Sequence, residues 1–160
     1  MIHNIAVVGG GISGALTILN CIKQCKTSLS IIWFDAENKF CKGYAYTLNS
    51  DIFLLNVRAN NMSVFVDEPN HFVDWLSRFH PTYKPTDFVP RQLFGNYVQS
   101  VFDELEYSNP FVTIHKMAEE VVSIHEGENE FELKTMLTTQ PIGIIQAIKS
   151  PNLPWGRTEL

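Results

Sequence analysis

The stretch IAVVGGGISGALTILN (residues 5–20) is a short aliphatic run that meets a glycine cluster and then takes up helical periodicity. Ile5, Ala6, Val7 and Val8 have the length and composition of a buried parallel strand. Beyond the glycines, Ala15, Leu16, Ile18, Leu19 and Ile22 recur at roughly helical spacing. Gly9, Gly11 and Gly14 stand between the two at G-x-G-x-x-G spacing. The next apolar run, SLSIIWF (28–34), reads as a second strand with Asp35 at its C-terminal end. The glycine spacing alone arises by chance. With a strand before it, a helix after it and an acidic residue about 20 positions on, it becomes a dinucleotide fingerprint and sets an α/β fold.

Each residue then has a physical task. Gly9 permits the tight turn, Gly11 lets backbone approach a pyrophosphate, and Gly14 lets helix pack closely on strand. The helix N-terminus offers unpaired N–H groups and the positive end of its dipole to phosphate. Asp35 can accept from the two ribose hydroxyls. NADP fits poorly, because Ala36 and Glu37 follow where a 2′-phosphate would call for Arg. FAD and NAD share an ADP moiety, so these residues alone leave both open.

Bulk properties narrow the function classes. A chain of 160 residues is about one domain and can bury a real core. The net charge of −5 gives no electrostatic footprint for nucleic acid. Scattered Lys and Arg form no basic membrane-binding face, and no apolar run reaches the ~20 residues of a membrane span. The N-terminal apolar run lacks the charged flank of a signal peptide. Three cysteines (Cys21, Cys25 and Cys41) are too few for a disulfide framework and predict a reducing, cytoplasmic setting. Cys21 and Cys25 read as helix core packing. His3, His71, His80, His115 and His125 show no paired ligand spacing, so no metal site is expected.

Residues 36–70 are irregular and rich in Asn, with a short strand expected around Phe53–Val57; loops this long in compact domains tend to be functional. A helix is expected over 67–79, with Phe72, Trp75, Leu76 and Phe79 on one face. A second, over 88–105, repeats Leu93, Tyr97, Val101 and Leu105 every four residues. Strands follow at 111–115, 120–126 and 130–135, the last two joined by a hairpin turn at EGEN (126–129). The three read as an antiparallel group. An apolar run, PIGIIQAIKSPNLPWG (141–156), comes last.

This layout resembles the FAD-binding half of glutathione-reductase-like flavoproteins. At finer grain it resembles a bacterial family of FAD/NAD(P)-binding proteins of flavin-monooxygenase type. The matching stretches are VVGGGISGA (7–15), FDA (34–36), KGYAYT (42–47), LLNVRANNMS (54–63), DEPNHFVDWL (67–76) and FVPRQLFGNYV (88–98). The resemblance implies a Rossmann-like FAD-binding domain: a βαβ core, a helical insertion and an antiparallel strand group. It implies FAD across the C-terminal strand ends, held by Gly9, Gly10, Gly11, Ser13, Gly14 and Asp35. Arg91 falls where relatives place an Arg near flavin or phosphate, and Val121 where a strand passes the adenine. Arg58 stands where the family pattern would have Pro.

Such proteins continue into a strand ending Ala-Thr-Gly beside the flavin, and here Ala147 is followed by Ile148 and Lys149. Glycine serves where backbone must approach a ligand, and Lys replaces it poorly. The expected division is therefore an incomplete cofactor-binding domain over 1–140 and a continuation or tail over 141–160. Three function classes remain open on these grounds. They are the FAD-binding portion of an NAD(P)H-using flavin oxidoreductase, an NAD-binding protein, and a non-catalytic remnant. The run Ile142, Ile144, Ile145, Ala147 and Ile148, if uncovered, is expected to favour self-association.

Overall fold

The computed structural model describes residues 3–48, 50–127, 131–137, 139–142 and 155–156. Strand β1 (His3–Val8) leads through the glycines into helix α1 (Ile12–Gln24), which returns the chain to strand β2 (Leu29–Phe34). A long connection carries a short helix α2 (Gly43–Thr47), a 3₁₀ turn (Ala59–Asn61) and helices α3 (His71–Phe79) and α4 (Arg91–Leu105). Strand β3 (Val112–Met117) follows, and β1, β2 and β3 form one parallel sheet in that order.

Period-two alternation in this sheet separates two cores. Ile5, Val7, Ile31, Trp33 and Val112 face a helical layer that includes Ile18 and Leu19 of α1 and Tyr97 and Phe102 of α4. Ala6, Val8 and Phe34 face the other way, against Val121, Ile124 and Leu133. Those three belong to a second sheet, in which β4 (Val121–Glu126) pairs antiparallel with β5 (Phe131–Thr135). Strands β6 (Thr139–Ile142) and β7 (Trp155–Gly156) flank that pair. The molecule is thus helices on parallel sheet on antiparallel sheet. The entry to β3 is tied to the end of α1, because the Asn109 amide donates to the Ile22 and Cys25 carbonyls at 2.8 and 2.9 Å.

Two expectations are corrected here. Residues 111–115 do not belong to the antiparallel group: they lie in the third parallel strand, so 36–111 is one long crossover. As a sheet edge, β3 keeps Thr113, His115 and Lys116 exposed, and that half-polar pattern mimics an antiparallel strand. Around Phe53–Val57 only one isolated bridge forms, Leu54 to Pro90, because Phe53, Leu54 and Val57 have no sheet to lie on and stay partly exposed.

The helix faces follow expectation more closely. Phe72 and Leu76 of α3 are buried, while Phe79 at its end is exposed. Leu93, Tyr97 and Val101 of α4 are buried, and Leu105 is half-buried. The expected boundary between 140 and 141 falls inside β6. Half of the expected hairpin turn, the apolar run 143–154 with Ala147, Ile148 and Lys149, and the side chain of Ile142 lie outside the described residues.

Candidate functional site

The C-terminal ends of β1 and β2 open into a cavity of about 610 Å³, within the usual range for small-molecule sites. Gly9, Gly10, Gly11, Ser13, Gly14, Asp35 and Val121 all line it. Residues from three separate segments thus converge on one space, as the fingerprint requires.

The glycines are separable by what a side chain would meet. Gly9 has φ +110, a backbone conformation that L side chains rarely adopt. At Gly14 a methyl group would lie 2.6 Å from the Gly9 carbonyl oxygen and 3.1 Å from Val7, so helix and strand touch there. The same carbonyl accepts a hydrogen bond from the Trp33 indole at 2.9 Å. At Gly10 a methyl would strike the Asp35 carboxylate. Gly11 shares with Gly9 the absence of anything within 4 Å of where its methyl would project, but it lacks the positive φ, so only open cavity lies before it. That is the cradle a phosphate needs, and α1 begins at the next residue.

Asp35 does more than its position predicts. One carboxylate oxygen accepts from the Gly10 N–H at 2.8 Å. The other accepts from the Glu37 and Lys39 N–H groups at 2.8 and 3.2 Å. The side chain therefore fastens the glycine turn to the loop after β2. A carboxylate has about four lone-pair sites, so one remains for a ribose hydroxyl. Ser13 is exposed within the cavity lining. Arg91 does not line the cavity. It starts α4, and its Nε donates to the Leu54 carbonyl at 3.1 Å.

Several lining residues escaped the sequence reading: Lys39, Lys42, Gly43, Tyr44, Tyr46 and the Glu119–Glu120 pair. KGYAYT carries most of them, and its signal was a family match without a role. Gly43 has φ +59, and a methyl on it would fall 2.9 Å from the Gly11 Cα, so this segment sits directly on the glycine turn. Lys39 pairs with Glu37. Lys42 donates to the Asn96 side-chain oxygen at 2.8 Å. The neighbouring Cys41 thiol is fully buried, and burial pushes its pKa up to about 12. Among the described residues no cluster of His, Cys, Asp and Glu could hold a metal ion. No described helix is long and apolar enough to cross a membrane.

Comparison with solved structures finds this fold in flavoproteins. The ornithine N-hydroxylase of Kutzneria sp. 744, whose structure carries reduced FAD and NADP+, matches at 16% identity and TM-score 0.58, over 92% of this chain and 36% of that one. A flavin monooxygenase from Stenotrophomonas maltophilia matches at 14% identity and TM-score 0.53, over 88% of this chain and 36% of the other. The bacillithiol disulfide reductase of Staphylococcus aureus matches at 14% identity and TM-score 0.52, over 89% and 36%. The chain therefore spans little more than a third of the length of each. No curated protein matches its sequence. A family model described as FAD-NAD(P)-binding matches residues 6–144, nearly the whole chain. The chain belongs to the FAD-NAD(P)-binding family.

Proposed function

We propose that the cavity holds FAD through its ADP half, and that the chain is the cofactor-binding portion of a flavin-dependent oxidoreductase using NAD(P)H. The observation that carries this is the open face of Gly11 at the head of α1, in one cavity with Asp35 and Val121. Pyrophosphate lies on Gly9, Gly10, Gly11 and Gly14, with Ser13 donating. Asp35 takes a ribose hydroxyl, and Val121 passes beside the adenine. Arg91 lies one helical turn before Gly95, where a methyl would meet Tyr46 of the cavity wall at 3.0 Å. It serves the flavin end, where the ADP half leaves the glycine turn. The flavin supplies the redox chemistry, and these residues bind and orient it.

Because the chain covers 36% of its structural neighbours, substrate handling is assigned to further polypeptide. These 160 residues then bind flavin weakly at best and without steady turnover. The test is the absorbance spectrum of the purified protein before and after adding FAD, with NADH consumption followed in the same cuvette. A change in flavin absorbance on adding FAD, with no sustained NADH loss, is the expected result. Failure to bind FAD while NAD binds would assign the site to the nicotinamide cofactor.

A further inference from the structure

We propose that Lys42 is the cationic phosphate ligand of this site, held ready by α4. The inference rests on the ADP-binding reading above and adds to it a side chain that lies outside the glycine fingerprint.

Lys42 reaches the site through backbone contact. Its neighbour Gly43 sits against Gly11, so the segment carrying Lys42 rests on the turn where backbone faces open cavity. Its stem lies along α4, because a methyl at Gly95 would come within 3.6 Å of the Lys42 Cγ. The ammonium then reaches one residue further along α4 and donates to Asn96 at 2.8 Å. A lysine ammonium has three donors, and Asn96 takes one while leaving the positive charge uncompensated.

The contrast with the neighbouring cation is instructive. Lys39 and Lys42 are the two lysines of the cavity lining, which contains no arginine. Lys39 is exposed and neutralised by Glu37. Lys42 is half-buried and enters no ion pair among the described residues, where the paired lysines are Lys23, Lys39 and Lys116. The glycine turn supplies neutral N–H donors to a pyrophosphate that carries formal negative charge. A lysine ammonium is a compact point charge suited to phosphate. Asn96 limits the side-chain freedom that would otherwise be lost on binding.

The test compares ADP with adenosine by isothermal titration, since the two ligands differ only in the phosphates. Lys42→Met should weaken ADP about tenfold, the scale of one charge-assisted hydrogen bond, and leave adenosine within about twofold. Lys42→Arg should keep most of the ADP affinity, and Lys26→Met, at an exposed residue outside the cavity lining, should change neither ligand. Thermal midpoints of all variants confirm that they fold. Unchanged ADP affinity in Lys42→Met, or an equal loss of ADP and adenosine, overturns the assignment while leaving the site itself intact. If the wild-type protein binds neither ADP nor FAD, the site reading fails and the role of Lys42 fails with it.

Discussion

The glycine turn (9–14) and the segment that covers it (36–47) line the same cavity, yet they are built on opposite terms. The turn is fixed by regular elements on both sides. Gly9 continues from β1, donates to the Phe34 carbonyl at 2.8 Å and accepts from Trp33, and α1 starts three residues later. The covering segment has no such frame. Its helix is five residues long and buries none of them, and three residues in it adopt left-handed backbone: Asn38 (φ 55), Cys41 (φ 74) and Gly43 (φ 59). Only one of these is glycine. Left-handed backbone costs an ordinary residue about 1–2 kcal/mol, and here the burial of Cys41 and the Asp35 clasp offset it. A regular frame makes a site readable from spacing, whereas a covering loop is specified by tertiary contacts.

If that contrast holds, substitutions in the turn should affect folding through close packing, and those in the covering segment through backbone conformation. The largest effect is expected from Gly14→Ala, where the new methyl meets backbone oxygen at 2.6 Å. Overpacking of this kind costs about 2–3 kcal/mol, readable as a lower urea midpoint at constant m-value. Asp35→Ala removes the acceptor of three backbone N–H groups that join the two regions. Its expected cost is about 1–3 kcal/mol in stability, with a parallel loss of ADP affinity. A stable Asp35→Ala protein that loses only affinity would show that the clasp does not join them.

Gly43→Ala tests the covering segment through its positive φ, together with its contact with Gly11 in the turn. A loss of about 1–2 kcal/mol is expected, below that of Gly14→Ala, and the reverse order would break the comparison. The smallest effect is chemical. With its pKa near 12, the Cys41 thiol is about one part in ten thousand thiolate at pH 8. Alkylation followed by mass spectrometry should leave Cys41 unmodified in the folded protein and modify it in urea.

The same contrast explains what the sequence revealed. Strand β1, α1, β2 and Asp35 were legible because period and spacing coincide with the physical requirement at each residue. Helices α3 and α4 were legible from the apolar stripes through Phe72 and Leu76 and through Leu93, Tyr97 and Val101. The parallel pairing of β3 was not, since an edge strand with one polar face carries no mark of its neighbour's direction. Lys42 and Gly43 were hidden for another reason. Their place over Gly11 depends on α4, whose Asn96 lies 54 residues away in the chain. Arg91 is held at the start of α4 by its side-chain Nε, which donates to the Leu54 carbonyl, a contact that spacing in the sequence does not reveal.

If Gly11 is bare so that a phosphate can lie against it, a paired titration of two proteins shows it. Gly11 has φ −71 and ψ 176, extended backbone open to any residue, and nothing lies within 4 Å of where a Cβ there would stand. Wild-type and Gly11→Val proteins should therefore unfold at the same urea concentration. FAD and ADP should bind the wild type and fail to bind Gly11→Val. Equal affinity of the two proteins for both ligands would contradict the account.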